Sequence, residues 1–207
     1  MDQPPGWMTD RDLSLLGRLP PKARRGSKPR CHVITHGADS DVALRLTELA
    51  GQLALVSDND QWMPMGFEDT EEAQLHDSPR LLDATVSRLL MEWWLPPNCA
   101  ERRTPNFDIA STCTIGGRRG LLLVEAKAHD LELRMEEAGR VLGPDATESR
   151  KASHDSIGRA INEASDGMHR DTGLPFELSR DNCYQMSNRF AWGWKLASLG
   201  IPVVLVY

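Results

Sequence analysis

Between residues 40 and 56, apolar side chains recur at Val42, Leu46, Leu49 and Leu53, the three-and-four spacing of one helix face. Ser40 stands where an N-cap is expected. The same period returns at Leu82, Val86, Leu89, Leu90 and Trp93. There Ser78-Pro79 offers a cap and a first helical residue, and Pro96-Pro97 ends the run. From residue 107 the pattern changes. "FDIASTCTI" is β-branched and alternating, "GGRRG" signals a turn, and "LLLVEAKA" begins with four consecutive apolar residues. Together they predict a hairpin whose second strand is covered on both faces.

Other segments are read the same way. "CHVITH" (31–36) predicts a strand, 57–77 an acidic surface loop, and "CAERRT" a possible short strand. Helices are predicted around 131–141 and 153–168, the latter from Ile157, Ile161, Ala164 and Met168. "CYQMSNRFAWGWKLASL" reads as a last helix capped at Gly200, and "IPVVLVY" as a strand central in its sheet or at least covered. A chain stopping inside such a strand reads as a piece of a longer one. The expected class is α/β with a mixed sheet: an arm over 1–30, an extension or small lobe over 31–77, and a core over 78–207 with a helical insertion at 130–180.

Composition narrows the setting. Of the 207 residues, 40% are hydrophobic and 26% charged, as in a soluble globular protein. The start is no secretory signal and no apolar run has the length of a membrane span, so a cytoplasmic protein without a membrane partner is expected. Cys31, Cys99, Cys113 and Cys183 are too scattered for a zinc ribbon and are expected as thiols. A net charge of −6 argues against a generally basic nucleic-acid-binding protein, although a basic surface can sit on an acidic body. Arg11, Arg18, Lys22, Arg24, Arg25, Lys28 and Arg30 crowd into twenty residues with Asp12 the only acid; the plain reading is a solvated, Pro-rich arm.

The chemistry concentrates in the predicted hairpin. Side chains alternate along a strand, so Glu125 and Lys127 share a face and Ala126 takes the other. Asp108, on the first strand, comes alongside Glu125 when the hairpin closes. Two neighbouring carboxylates repel, and a hard cation relieves this by binding both. Mg²⁺ or Mn²⁺ suits such a pair, with the Ala126 carbonyl as a further ligand and water or a phosphate for the rest. Lys127 then stands where it can orient or deprotonate a water. The plain alternative is an ion pair at the sheet edge.

"FDI" followed by "EAK", within an α-β-β-β-α-β order, resembles the PD-(D/E)XK, or restriction-endonuclease-like, nucleases. The resemblance covers roughly 78–207. It implies a metal-dependent hydrolase of phosphodiesters, with Asp108 and Glu125 as metal ligands and Lys127 as the catalytic lysine. It also implies a Gln, Lys or Arg on the closing helix, for which Gln185 and Arg189 qualify. DNA is the implied substrate ahead of RNA, and a homodimer is compatible with cutting a duplex. Two departures stand. Pro105 is not adjacent to Asp108, and the acid that many members carry on the first core helix has two candidates, Asp83 and Glu92. A non-catalytic module of the same fold, binding nucleic acid or serving assembly, is the alternative.

The remaining signals are weaker. Trp192 falls at helical spacing with Gln185 and Arg189, yet it and Trp194, like Trp93-Trp94, are expected to pack. His32 and His36 do not form a helical metal pair, and His129 follows the motif lysine closely. "TIGGRRG" lacks the following helix of a phosphate loop, and no G-x-S-x-G elbow is present.

Overall fold

In a computed structural model, residues 9–18, 21–24, 26–97, 99, 104–127 and 138–207 are described. Six α-helices are described: α1 (Asp10–Arg18), α2 (Lys28–Ile34), α3 (Asp39–Leu49), α4 (Ala84–Trp94), α5 (Glu148–Thr172) and α6 (Tyr184–Ser198). Six strands accompany them: β1 (Trp62–Met63), β2 (Ala73–Gln74), β3 (Asn106–Phe107), β4 (Ile109–Ile115), β5 (Arg118–Val124) and β6 (Val203–Val206). The larger sheet runs β1-β4-β5-β6, and β2 and β3 form a separate antiparallel pair. β1 and β5 are antiparallel to β4, whereas β6 is parallel to β5, so the sheet is mixed and the class is α/β. Among the described residues no helix is long and apolar enough to cross a membrane.

The β4–β5 hairpin is the centre of this arrangement. Gly116 (φ 55°) and Gly117 (φ 76°) supply two consecutive left-handed residues, as a tight I′ turn requires. The turn fixes the register from Ile115↔Arg118 down to Ile109↔Val124. Alternation then divides the strands between two cores. Ala110, Leu121 and Leu123 join α4, α5 and α6 through Leu90, Trp94, Ile157, Ile161, Ala191 and Trp192. Ile109, Cys113, Leu122 and Val124 join α2 and α3 through Cys31, Val42 and Leu46. Helices therefore cover the sheet on both faces, which is why β5 tolerates a continuous apolar run.

The tryptophans pack. Trp94 and Trp192 are fully buried and meet edge to face at 5.8 Å, a contact worth about 0.5–1.5 kcal/mol beyond its buried area. Trp194 lies against Gly167 of α5, where a Cβ would come within 2.2 Å of its ring, and donates to Asp171 at 3.1 Å. Gly167 is thus what lets α5 and α6 close on each other.

The structure corrects several expectations. "CHVITH" belongs to helix α2 and the turn after it, not to a strand; Pro29 occupies an early helical position, and Cys31 and Val33 are buried. The described part of 1–30 is not a featureless arm, because Asp10–Arg18 is helical and Asp12 accepts from the amide and hydroxyl of Thr9. α3 starts after Ala38 rather than at Ser40 and stops at Leu49, since Gly51 and Gln52 take positive φ; Leu53 is left exposed. The acidic loop contains β1 and β2, and β1 extends the main sheet through its pairing with β4. α4 opens at Asp83 and not Ser78-Pro79: Asp83 accepts from the amides of Thr85 and Val86, while the Ser78 hydroxyl donates to the Gln74 carbonyl. β6 is last in the sheet order rather than central, and it is covered as expected: Val203 and Leu205 pack into one core and Val204 and Val206 into the other. The helix expected at 131–141 lies mostly outside the described residues, and its end pairs with 180–182 through the Ala138↔Asn182 bridge. The "CAERRT" strand also falls largely outside them. α5 spans 25 residues and contains the predicted 153–168 helix, and α6 ends before Gly200 (φ 86°) as expected.

Candidate functional site

Asp108 occupies a junction. Phe107 pairs with Ala73 in the small ladder, and Ile109 pairs with Val124 in the large one, so the chain changes sheets at this residue. Continuing the hairpin register by one step sets Asp108 opposite Glu125, which leaves β5 immediately after Val124 and still donates its amide to the Val206 carbonyl at 2.9 Å. Directly opposed residues on one face have Cβ atoms about 4.5–5.5 Å apart. Asp108 Oδ2 accepts the Ala126 amide at 2.8 Å, which ties the two strand ends together.

Glu125 is 3% exposed and surrounded by donors. Its Oε1 accepts from Lys127 Nζ at 2.6 Å and from the Gln185 amide, and its Oε2 accepts from Arg189 Nε at 2.7 Å. Gln185 and Arg189 lie four apart on α6 and therefore face the same way. Arg189 is itself buried, with its guanidinium 5.1 Å from the Phe107 ring and also donating to Asn188. The Lys127 ammonium stands 5.9 Å from the centre of the Tyr207 ring. Cys183, just before α6, holds a left-handed backbone (φ 47°), the residue through which the chain turns into this helix.

The electrostatics follow from burial and crowding. Asp108 has its carboxyl pushed up to about 6, first by burial, then by the negative charge of Glu125, and further by Glu72; the Ala126 amide and Lys127 pull the other way. Glu72 was not foreseen as part of this neighbourhood. It is one of four acids between 68 and 72, and only the tertiary fold distinguishes it. Its Oε2 accepts from the Asn106 side chain at 3.3 Å, two residues before Asp108, and its Oε1 pairs with Lys28 at 3.2 Å. The buried Cys31 thiol, pushed up to about 12 mainly by burial, also feels Asp108, Glu125 and Glu72. α2 is thus linked to these acids through the Lys28–Glu72 ion pair, while Cys31 packs in the core with Ile109 and Val124.

The hairpin and α6 bring together Asp108, Glu125, Ala126, Lys127, Gln185 and Arg189. Neither first-helix candidate joins them. Asp83 is consumed as the α4 cap, and Glu92 pairs with Arg88 on the surface at 3.0 Å. His32 and His36 both set their rings against Phe67, and His129 lies outside the described residues.

A divalent cation is compatible with this donor set. The oxygens are hard, and a cation would offset both the burial and the Glu125 charge that raise the Asp108 carboxyl. Among the described residues no group of three His, Cys, Asp or Glu side chains forms a ready cluster, so two carboxylates and the Ala126 backbone are the set available. Compared with known proteins, the chain matches no family model, no curated protein and no solved structure.

Proposed function

We propose that the chain is a divalent-metal-dependent nuclease of the restriction-endonuclease-like kind, hydrolysing phosphodiester bonds in DNA ahead of RNA. The observation that carries this reading is the convergence at the hairpin's open end, where Asp108 accepts the Ala126 amide and Lys127 donates to the adjoining Glu125. The element order supports it in part: α4, β4, β5, α6 and β6 follow one another as in that core, whereas the strand between α4 and β4, β3, pairs with β2 outside the main sheet, and the strand beside β4, β1, precedes α4.

In this reading Asp108, Glu125 and the Ala126 carbonyl hold Mg²⁺ or Mn²⁺. The bound ion supplies an acidified water and a counter-charge for the phosphoryl oxygens. Lys127 is partly exposed and already a donor to Glu125, so it orients the attacking water by hydrogen bonding and balances charge at the phosphate. Gln185 and Arg189 fix the Glu125 carboxylate from α6. With one such site per chain, a homodimer would let both strands of a duplex be cut in one encounter.

A second reading has its own observation. The Glu125 charge is already balanced by Lys127 and Arg189, as suits a non-catalytic module of the same fold.

Incubating supercoiled and linear DNA with Mg²⁺ or Mn²⁺ tests the nuclease. Asp108→Ala and Lys127→Ala are expected to lower cleavage by about 10²-fold or more. Equal background from all three proteins would sink the enzymatic reading. Calorimetry separates the two, since the silent module takes up no divalent ion that Asp108→Ala abolishes.

A further inference from the structure

The seven cations between residues 11 and 30, Lys28 on Glu72 apart, have no role assigned above. With Asp12 they give that stretch a charge of +6 and leave −12 on the rest of the chain. The described segment is structured, and it packs toward the acidic cluster. α1 contacts α2. α2 reaches the site by two routes: Lys28 pairs with Glu72, which holds Asn106 beside Asp108, and Cys31 is buried in the core that contains Ile109 and Val124. Arg11, Arg18, Arg24, Lys28 and Arg30 are exposed, whereas Asp12 is buried and occupied by Thr9. A cationic surface on an otherwise anionic body, joined to an acidic hydrolytic site, is complementary to a regularly spaced polyanion.

We infer that the α1–α2 segment is the surface on which a nucleic-acid duplex lies while one phosphodiester reaches Asp108 and Glu125. This rests on the nuclease reading for the choice of partner. The duplex backbone presents the row of phosphates that dispersed arginines match, and the contact is independent of sequence. Lys28 joins surface and site, because its side chain is exposed while its ammonium pairs with Glu72.

The test measures binding without cleavage. A fluorescent 20-base-pair DNA duplex is titrated in EDTA across a range of NaCl concentrations and followed by anisotropy. With one phosphate per arginine, the triple variant Arg11→Gln, Arg18→Gln, Arg30→Gln should reduce the slope of log affinity against log salt by about 3. Binding at 0.1 M salt should weaken by roughly 10²-fold. A control triple on other surfaces, Arg88→Gln, Arg159→Gln, Arg170→Gln, should retain the wild-type slope; circular dichroism and melting verify that both variants fold. Three results overturn the inference: no measurable duplex binding by wild type, an unchanged slope in the first triple, or an equal loss in the control. The outcomes separate from the cleavage test. A reduced slope in a chain that cuts nothing keeps the surface and removes the nuclease. Cleavage dependent on Asp108 and Lys127 with an unchanged slope does the reverse.

Discussion

A buried glutamate with three side-chain donors is costly to leave half-satisfied. Removing the guanidinium by Arg189→Met strands most of one carboxylate oxygen in the core, and the expected loss is about 3–5 kcal/mol in urea unfolding. Adding Glu125→Gln removes the stranded charge and should recover part of that loss; additive single effects would mean the pair is not coupled in the folded chain. Asp108 makes a prediction in pH. Its carboxyl binds a proton more tightly when folded, at about 6, than at its ordinary 3.8. The folded chain therefore takes up a proton in this window, and stability falls as pH rises through it. Asp108→Asn cannot ionise. It should be more stable than wild type at pH 7.5 by about 1–2 kcal/mol, a two-unit shift discounted for partial exposure, and the difference should vanish below about pH 4. A gap that stays constant from pH 4 to 7.5 would contradict the raising of Asp108 by burial and by Glu125. The placement of Asp108, Glu125 and Lys127 was legible in the sequence, because strand alternation and a two-glycine turn fix a register by arithmetic. Glu72 was not: nothing local separates it from Glu68, Asp69 or Glu71.

At the scale of elements, the legible pieces are those whose local pattern and tertiary burial agree. The hairpin, α5 and α6 are of this kind. α2 is not, because "CHVITH" alternates and β-branches like a strand while its neighbours Lys28 and Pro29 begin a helix whose buried side chains pack against the sheet. β1 and β2 are two residues each, too short to show a period, and exist through their partners in β4 and β3. The start of α4 was misplaced because Ser78-Pro79 and Asp83 offer competing stop-and-start chemistry; the carboxylate that accepts two amides wins. Asp83→Ala should accordingly lower stability by about 1 kcal/mol and leave any metal-dependent cleavage at the wild-type rate. A collapse of cleavage with stability intact would return Asp83 to the site.

Across the whole molecule, one sheet serves two cores, with α4, α5 and α6 on one face and α2 and α3 on the other. β4 and β5 both contribute to each, so the strand that leads into Glu125 is enclosed by packing on both faces. This gives the acidic cluster a rigid side. Its other side rests on the residue at which the chain passes from the large ladder to the two-stranded one. The two acids thus meet at the seam where the large ladder gives way to the minor ribbon of β2 and β3. With Lys28 on Glu72 and Cys31 beneath Ile109 and Val124, α2 spans both banks of that seam and acts as its clasp.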